Sequence, residues 1–168
     1  MTSPIWHPFT QHALRPGLPV AVQAEGAYII TAGGARVLDA ISSWWVVTHG
    51  HRHPRIVEAI KAQADVLDQV IFAEFTHEPA EVLALELVAI APAGLRHVFF
   101  SDSGSTSVEV ALKMALGYWR HIGEARHRVV VMEHSYHGDT VGAMSVGARG
   151  FFTAREILSG GSSRAVPS

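Results

Sequence analysis

Apolar residues recur along this chain with two periods, and each change of period marks an element boundary. Between Val20 and Ile41 they fall in short β-type runs. Ala27 to Thr31 is one run, Ala32-Gly33-Gly34-Ala35 is a turn, and Arg36 to Ile41 resumes the apolar character, which predicts a hairpin or meander. From Pro54 the spacing becomes helical. Ile56, Ile60, Ala64 and Leu67 form one stripe of a helix running to about Val70, with the proline suited to its first turn. A second helix is predicted over Glu78–Ile90, carrying Leu83, Leu85, Leu87 and Val88, and Ala91-Pro92-Ala93-Gly94 breaks it. Leu95 to Phe100 reads as a strand and Thr106 to Ile122 as a helix, with Val108, Ala111, Leu112, Ala115 and Trp119 as its buried stripe. Arg128 to Met132 reads as another short strand. Short apolar strands between helices suit a parallel sheet covered on both faces, so the expected fold class is α/β. A short helix is expected from Thr140 to Met144. From Arg149 the pattern fades, and Gly160 to Ser168 reads as a disordered tail.

The turn between Phe100 and the long helix organises the rest. Ser101-Asp102-Ser103-Gly104-Ser105-Thr106 joins the end of a strand to the start of a helix. The first turn of a helix has unpaired backbone N–H groups and partial positive charge, so it suits an anion. Gly104 lets a ligand approach the backbone, and the hydroxyls of Ser103, Ser105 and Thr106 add possible donors. Thr106 and Glu109 have the spacing of a capping box, so helix capping alone is the competing reading. No Gly-Lys-Ser/Thr follows and there is no G-x-G-x-x-G, which excludes the two common nucleotide loops.

Charge narrows the partners. The net charge is -2, which gives no electrostatic reason to expect nucleic acid or an anionic membrane surface. No cysteine is present, which excludes disulfides and leaves the redox compartment open; no secretory apolar segment opens the chain and no apolar run is long enough to span a bilayer, so a soluble cytoplasmic protein is expected. The alternating histidines of His49-Gly50-His51-Arg52-His53 invite a metal reading, but Arg52 opposes a cation and the spacing fits no known zinc motif, so no metal is assigned. Adjacent Trp44 and Trp45 cannot easily share one face of a regular element; one is expected in the core and the other at a pocket or interface. Trp6 and Phe9 stand in an arm without periodicity, where they either pin the arm to the body or line a pocket.

Five segments, taken in order, carry a resemblance. They are Trp6-His7-Pro8-Phe9-Thr10, Ser42-Ser43-Trp44-Trp45, Asp102-Ser103-Gly104-Ser105, Val108 to Ala115, and Tyr136-His137-Gly138-Asp139-Thr140 through Gly142 to Val146. Together they resemble the class III pyridoxal-phosphate aminotransferases over about Trp6 to Arg149. Within that family they are most similar to the branch serving biotin synthesis. The resemblance implies part of a pyridoxal-phosphate transferase of fold type I. Residues 1–53 would be the arm and meander of its small domain, 54–155 the start of its large cofactor-binding domain with a mostly parallel sheet, and 156–168 a tail. It implies pyridoxal 5′-phosphate as cofactor, amino transfer from S-adenosylmethionine to 8-amino-7-oxononanoate to give 7,8-diaminononanoate, and a homodimer. Gly104 and Ser105 match the turn that holds the cofactor phosphate, Tyr136 the aromatic over the pyridine ring, which also meets substrate, and Trp44 and Phe9 the substrate-side aromatics. A tyrosine is common at the last position; Phe9 keeps the ring and loses the hydroxyl.

The same resemblance implies what is missing. The chain has two lysines, Lys61 and Lys113, and neither matches the family's Schiff-base position, which is expected beyond residue 168 together with the pyridinium partner and the substrate-carboxylate arginine. No catalytic residue is therefore assigned, and the chain is expected to be an N-terminal piece that is inactive alone. Two alternatives stand beside this reading: a fragment of another class III ω-amino-acid aminotransferase, and a non-catalytic phosphate-binding or interaction module.

Overall fold

The computed structural model describes residues 3–14 and 17–147. The tail expected over 156–168 and the end of the region expected to close at 155 lie outside the described residues. The chain divides after Glu78 into two units.

In the first unit β1 (Ala21–Glu25), β2 (Tyr28–Thr31) and β3 (Arg36–Leu38) form an antiparallel meander in the order β1-β2-β3. Glu25 pairs with Tyr28 around Gly26, whose φ of +54° suits a residue without Cβ, and Tyr28 pairs with Leu38 across the next ladder. The Arg36 guanidinium lies 3.5 Å from the centre of the Tyr28 ring. His51 closes the meander from outside: its N–H donates to the Gly26 carbonyl at 2.7 Å and its carbonyl accepts the Gly26 N–H at 3.1 Å.

Between β3 and this bridge runs one turn, α1 (Ser42–Trp45), and it is left-handed. Its four φ values are +50°, +47°, +57° and +75°, with no glycine among the residues. Left-handed backbone costs an L-residue about 1–2 kcal/mol, so the turn needs outside support. Asp39 supplies it. One carboxylate oxygen accepts the Ser43 N–H at 3.0 Å, and the other accepts the Ser43 hydroxyl at 2.7 Å and meets His51 Nε2 at 2.9 Å. The side chains of His51 and Asp39 are 15% and 6% exposed. Neither tryptophan is core: Trp44 is 59% and Trp45 81% exposed.

α2 (Pro54–Ala64) begins at the expected proline but ends well before Val70. Acidic Asp65 and Asp68 sit where the helix dipole disfavours negative charge, and the Gln63 amide donates to the Leu67 carbonyl at 2.8 Å in place of a further helical turn. α3 spans Glu78–Ile90, as its pattern predicts, and all but its first residue belong to the second unit. α4 (Gly104–His121) is the long helix, and α5 (Val141–Ser145) packs against it. The runs expected as strands, 95–100 and 128–132, join no ladder among the described residues, where the three-stranded sheet is antiparallel. Among the described residues neither run has a strand neighbour to pair its backbone groups, and a lone strand is not stable in water. Two residues are buried among those described, Gly138 and Ala143, and both lie where the segment leading into α5 meets α4.

Candidate functional site

α4 starts at a closed cap. Ser103 is the N-cap; its Oγ accepts the Thr106 N–H at 3.2 Å, and Thr106 Oγ1 accepts the Ser103 N–H at 2.9 Å. The box is therefore one turn earlier than the Thr106–Glu109 spacing suggests. Thr106 spends its own proton on the Ser103 carbonyl at 2.9 Å and so has none for a ligand.

Gly104 and Ser105 are the first two residues of the helix, and their N–H groups have no acceptor among the described residues. A Cβ built at Gly104 meets nothing within 4 Å, so the approach to these amides is open. Ser105 Oγ accepts the N–H of Asp139 at 3.1 Å. That bond occupies a lone pair and leaves the Ser105 proton free to be donated. Two amides, one hydroxyl and a helix dipole make a cradle for an anion.

Asp139 links the cradle to Tyr136. Its carboxylate accepts the phenol proton at 2.7 Å. This bond, followed by desolvation and the nearby negative charge, holds the Tyr136 hydroxyl above its usual ionisation range. The phenol stays neutral, and Tyr136 is 64% exposed. Gly138 permits the close approach, since a Cβ there would collide with Ser105. The three residues singled out on the cofactor side, Gly104, Ser105 and Tyr136, are thus tied into one cluster. Phe9 and Trp44 form another in the first unit, edge to face with ring centroids 5.5 Å apart. In the histidine run, His51 is engaged by Asp39 and Gly26.

Pattern reading missed two positioning groups, Asp39 and Glu109. The Glu109 carboxylate accepts hydrogen bonds from Thr140 Oγ1 at 2.7 Å and from the N–H groups of Ala143 and Gly142 at 2.9 and 3.1 Å. These bonds, Thr140 first, hold its carboxyl below the usual range against the opposing effect of desolvation.

An anion cradle bonded to a loop that presents an aromatic ring suits a cofactor with a phosphate and a flat ring. The chain belongs to the class-III aminotransferases, whose family pattern matches residues 10–156. That family uses pyridoxal 5′-phosphate, and the cradle's open amides and free hydroxyl proton fit its phosphate. Among curated relatives, the adenosylmethionine-8-amino-7-oxononanoate aminotransferase of Synechococcus elongatus is 55% identical over 89% of this chain and 35% of its own length. That of Geobacter sulfurreducens is 46% identical over 88% and 33%. Among solved structures, the enzyme of the same name from Methanocaldococcus jannaschii superposes with a TM-score of 0.80 at 41% identity, over 85% of this chain and 33% of that one. An (S)-enantioselective ω-transaminase from Thermomicrobium roseum gives 0.79 at 32% identity, over 86% and 33%. The chain spans about a third of the length of these relatives. It carries part of the α/β fold type I of class III transaminases.

Proposed function

We propose that this chain is the front part of a biotin-synthesis aminotransferase that takes an amino group from S-adenosylmethionine and gives it to 8-amino-7-oxononanoate. The reading includes a cytoplasmic homodimer as the working form of the whole enzyme. The observation that carries the cofactor side is the hydrogen-bonded path from Ser105 through Asp139 to Tyr136, which joins an anion cradle to an exposed ring. The substrate side is supported by the names of relatives at 46–55% identity and, among solved structures, by 41% identity to the enzyme of the same name against 32% to the ω-transaminase.

In this reading the amides of Gly104 and Ser105 and the Ser105 hydroxyl hold the phosphate. Tyr136 lies against the pyridine ring, with its phenol oriented by Asp139. Phe9 and Trp44 form an apolar wall on the substrate side, and Phe9, without a hydroxyl, contributes shape and not a hydrogen bond. Bound pyridoxal phosphate supplies the electron sink for amino transfer. The family resemblance puts the lysine that would hold it covalently beyond residue 168. Lys113 is exposed and stands about 13 Å along the helix axis from Gly104.

The test is reduction of the purified chain with borohydride in the presence of pyridoxal phosphate, followed by peptide mass spectrometry. No cofactor-labelled lysine is expected. A stoichiometric adduct on Lys113 overturns the reading that this chain is inactive alone.

A further inference from the structure

Glu109 lies in the second turn of α4, where Ser103 and Thr106 already close that helix's cap; Lys113, one turn on, has the spacing of an ion-pair partner, but no ion pair joins the two among the described residues. Its three hydrogen bonds come from residues 31 to 34 positions downstream. Two of the donors, the N–H groups of Gly142 and Ala143, occupy the second and third positions of α5. Thr140, at the N-cap place, makes no side-chain cap of its own and gives its hydroxyl to Glu109 instead. A carboxylate on one helix therefore caps another, and its charge also suits the positive end of the α5 dipole. A helix of five residues does not hold its shape alone, so α5 depends on such outside contacts.

The glycines show how closely the segment is held. A Cβ at Gly142 would lie 2.5–2.6 Å from the carboxyl atoms of Glu109, so only a residue without a side chain lets the carboxylate reach these amides. Asp139 is the neighbour of Thr140 in sequence, and its own N–H is bonded to Ser105 while its carboxylate holds Tyr136. The chain from Tyr136 to Ala143 is thus fastened to α4 at two levels, by Ser105 in the first turn and by Glu109 in the second.

We propose that Glu109 is a positioning residue: by fixing α5 on α4 it holds residues 136–139 against Ser105, so that Tyr136 and the anion cradle stay in register. The role rests on the cofactor reading above for its functional meaning, though not for its geometry. Loss of the carboxylate frees α5, then the Asp139–Ser105 bond, then the tyrosine ring.

The test uses the full 168-residue chain with the substitutions Glu109→Ala, Glu109→Gln and Gly142→Ala. Amide hydrogen exchange is read at Gly142, Ala143 and Asp139. Glu109→Ala and Gly142→Ala are expected to speed exchange at all three by about tenfold or more, the loss of a hydrogen bond to a charged acceptor. Glu109→Gln keeps an acceptor oxygen and is expected to recover part of the protection. Gly142→Ala leaves every polar group in place and decides the matter if Glu109→Ala does not fold. Faster exchange at Gly142 and Ala143 with Asp139 unchanged overturns the proposal, because Glu109 would then cap α5 without holding the loop. No change at any of the three overturns it equally.

Affinity for pyridoxal phosphate and for inorganic phosphate supplies the second readout. The Glu109→Ala chain is expected to lose about two- to tenfold for pyridoxal phosphate, the range of one aromatic stack, and less than about twofold for inorganic phosphate. Equal loss of both overturns the positioning role. If the parent chain binds neither, the cofactor reading of Gly104 and Ser105 fails, and the exchange data still decide for or against Glu109.

Discussion

Gly138→Ala tests the joint between the cradle and the tyrosine loop most directly. Gly138 has a φ of +122°, and a Cβ there would sit 2.5 Å from the Cβ of Ser105 and 2.6 Å from its Cα. Backbone in that region costs a residue with a side chain about 1–3 kcal/mol. The overlap is with main chain and cannot be relieved by rotating a side chain, which adds about 1–3 kcal/mol. The sum, about 2–6 kcal/mol, is a large share of the roughly 5–15 kcal/mol that stabilises a domain, so the loop should leave the cradle. Gly104→Ala is the control. Its Cβ meets nothing within 4 Å, and alanine is favoured over glycine in a helix by about 1 kcal/mol. Urea unfolding and exchange of the Asp139 amide are the assays. With an m-value of about 2 kcal/mol per M, Gly138→Ala is expected to lower the midpoint by about 1–3 M and to expose the amide, while Gly104→Ala keeps the amide protected and raises the midpoint by up to about 0.5 M. An unchanged midpoint with a protected Asp139 amide in Gly138→Ala would refute the packing of this loop on α4.

Asp39 gives the first unit a defined acid response. Ser43, through its N–H and then its hydroxyl, lowers its carboxyl from 3.8 to about 2, against an opposing desolvation weaker than either Ser43 bond and with a lesser lowering from His51. A group depressed in the folded state stabilises above its unfolded value, and the contribution disappears as pH falls through the folded one. The urea midpoint of this unit is therefore expected to fall between about pH 4 and pH 2, and Asp39→Asn removes that part of the slope; superimposable profiles for parent and variant would refute the brace. Ser42→Gly relieves one left-handed residue at a φ of +50° and is expected to raise stability by up to about 1 kcal/mol in thermal melts, with Ser42→Val acting in the opposite direction. A destabilised glycine variant would show that the turn is not strained there.

Much of the second unit was legible from pattern. The helix over Glu78–Ile90 starts and stops where its apolar run does, and the Ser/Gly turn announces α4 to within two residues. The partners across the site were not legible. Thr106 and Glu109 have capping-box spacing, yet the box closes one turn earlier and Glu109 turns to a segment more than 30 residues away. Local spacing carries no information about such a partner; only the glycine at 142, read together with its neighbours, hints at close approach. Ser42-Ser43-Trp44-Trp45 contains none of the residues that favour left-handed backbone, so nothing local signals α1. The apolar runs at 95–100 and 128–132 read as strands because side-chain character is local, whereas a ladder needs a neighbour.

The left-handed turn bears on how the first unit folds. A segment whose every residue prefers the opposite hand is not expected to start folding on its own; its supports are Asp39, just after β3, and the Gly26–His51 bridge, so it is expected to follow the meander. Contacts that form after the rate-limiting step govern escape from the native basin and leave entry to it nearly untouched. If α1 closes after the rate-limiting step, Trp44 rides on a latch whose loss is expected to speed unfolding of the first unit and to leave its folding rate nearly unchanged.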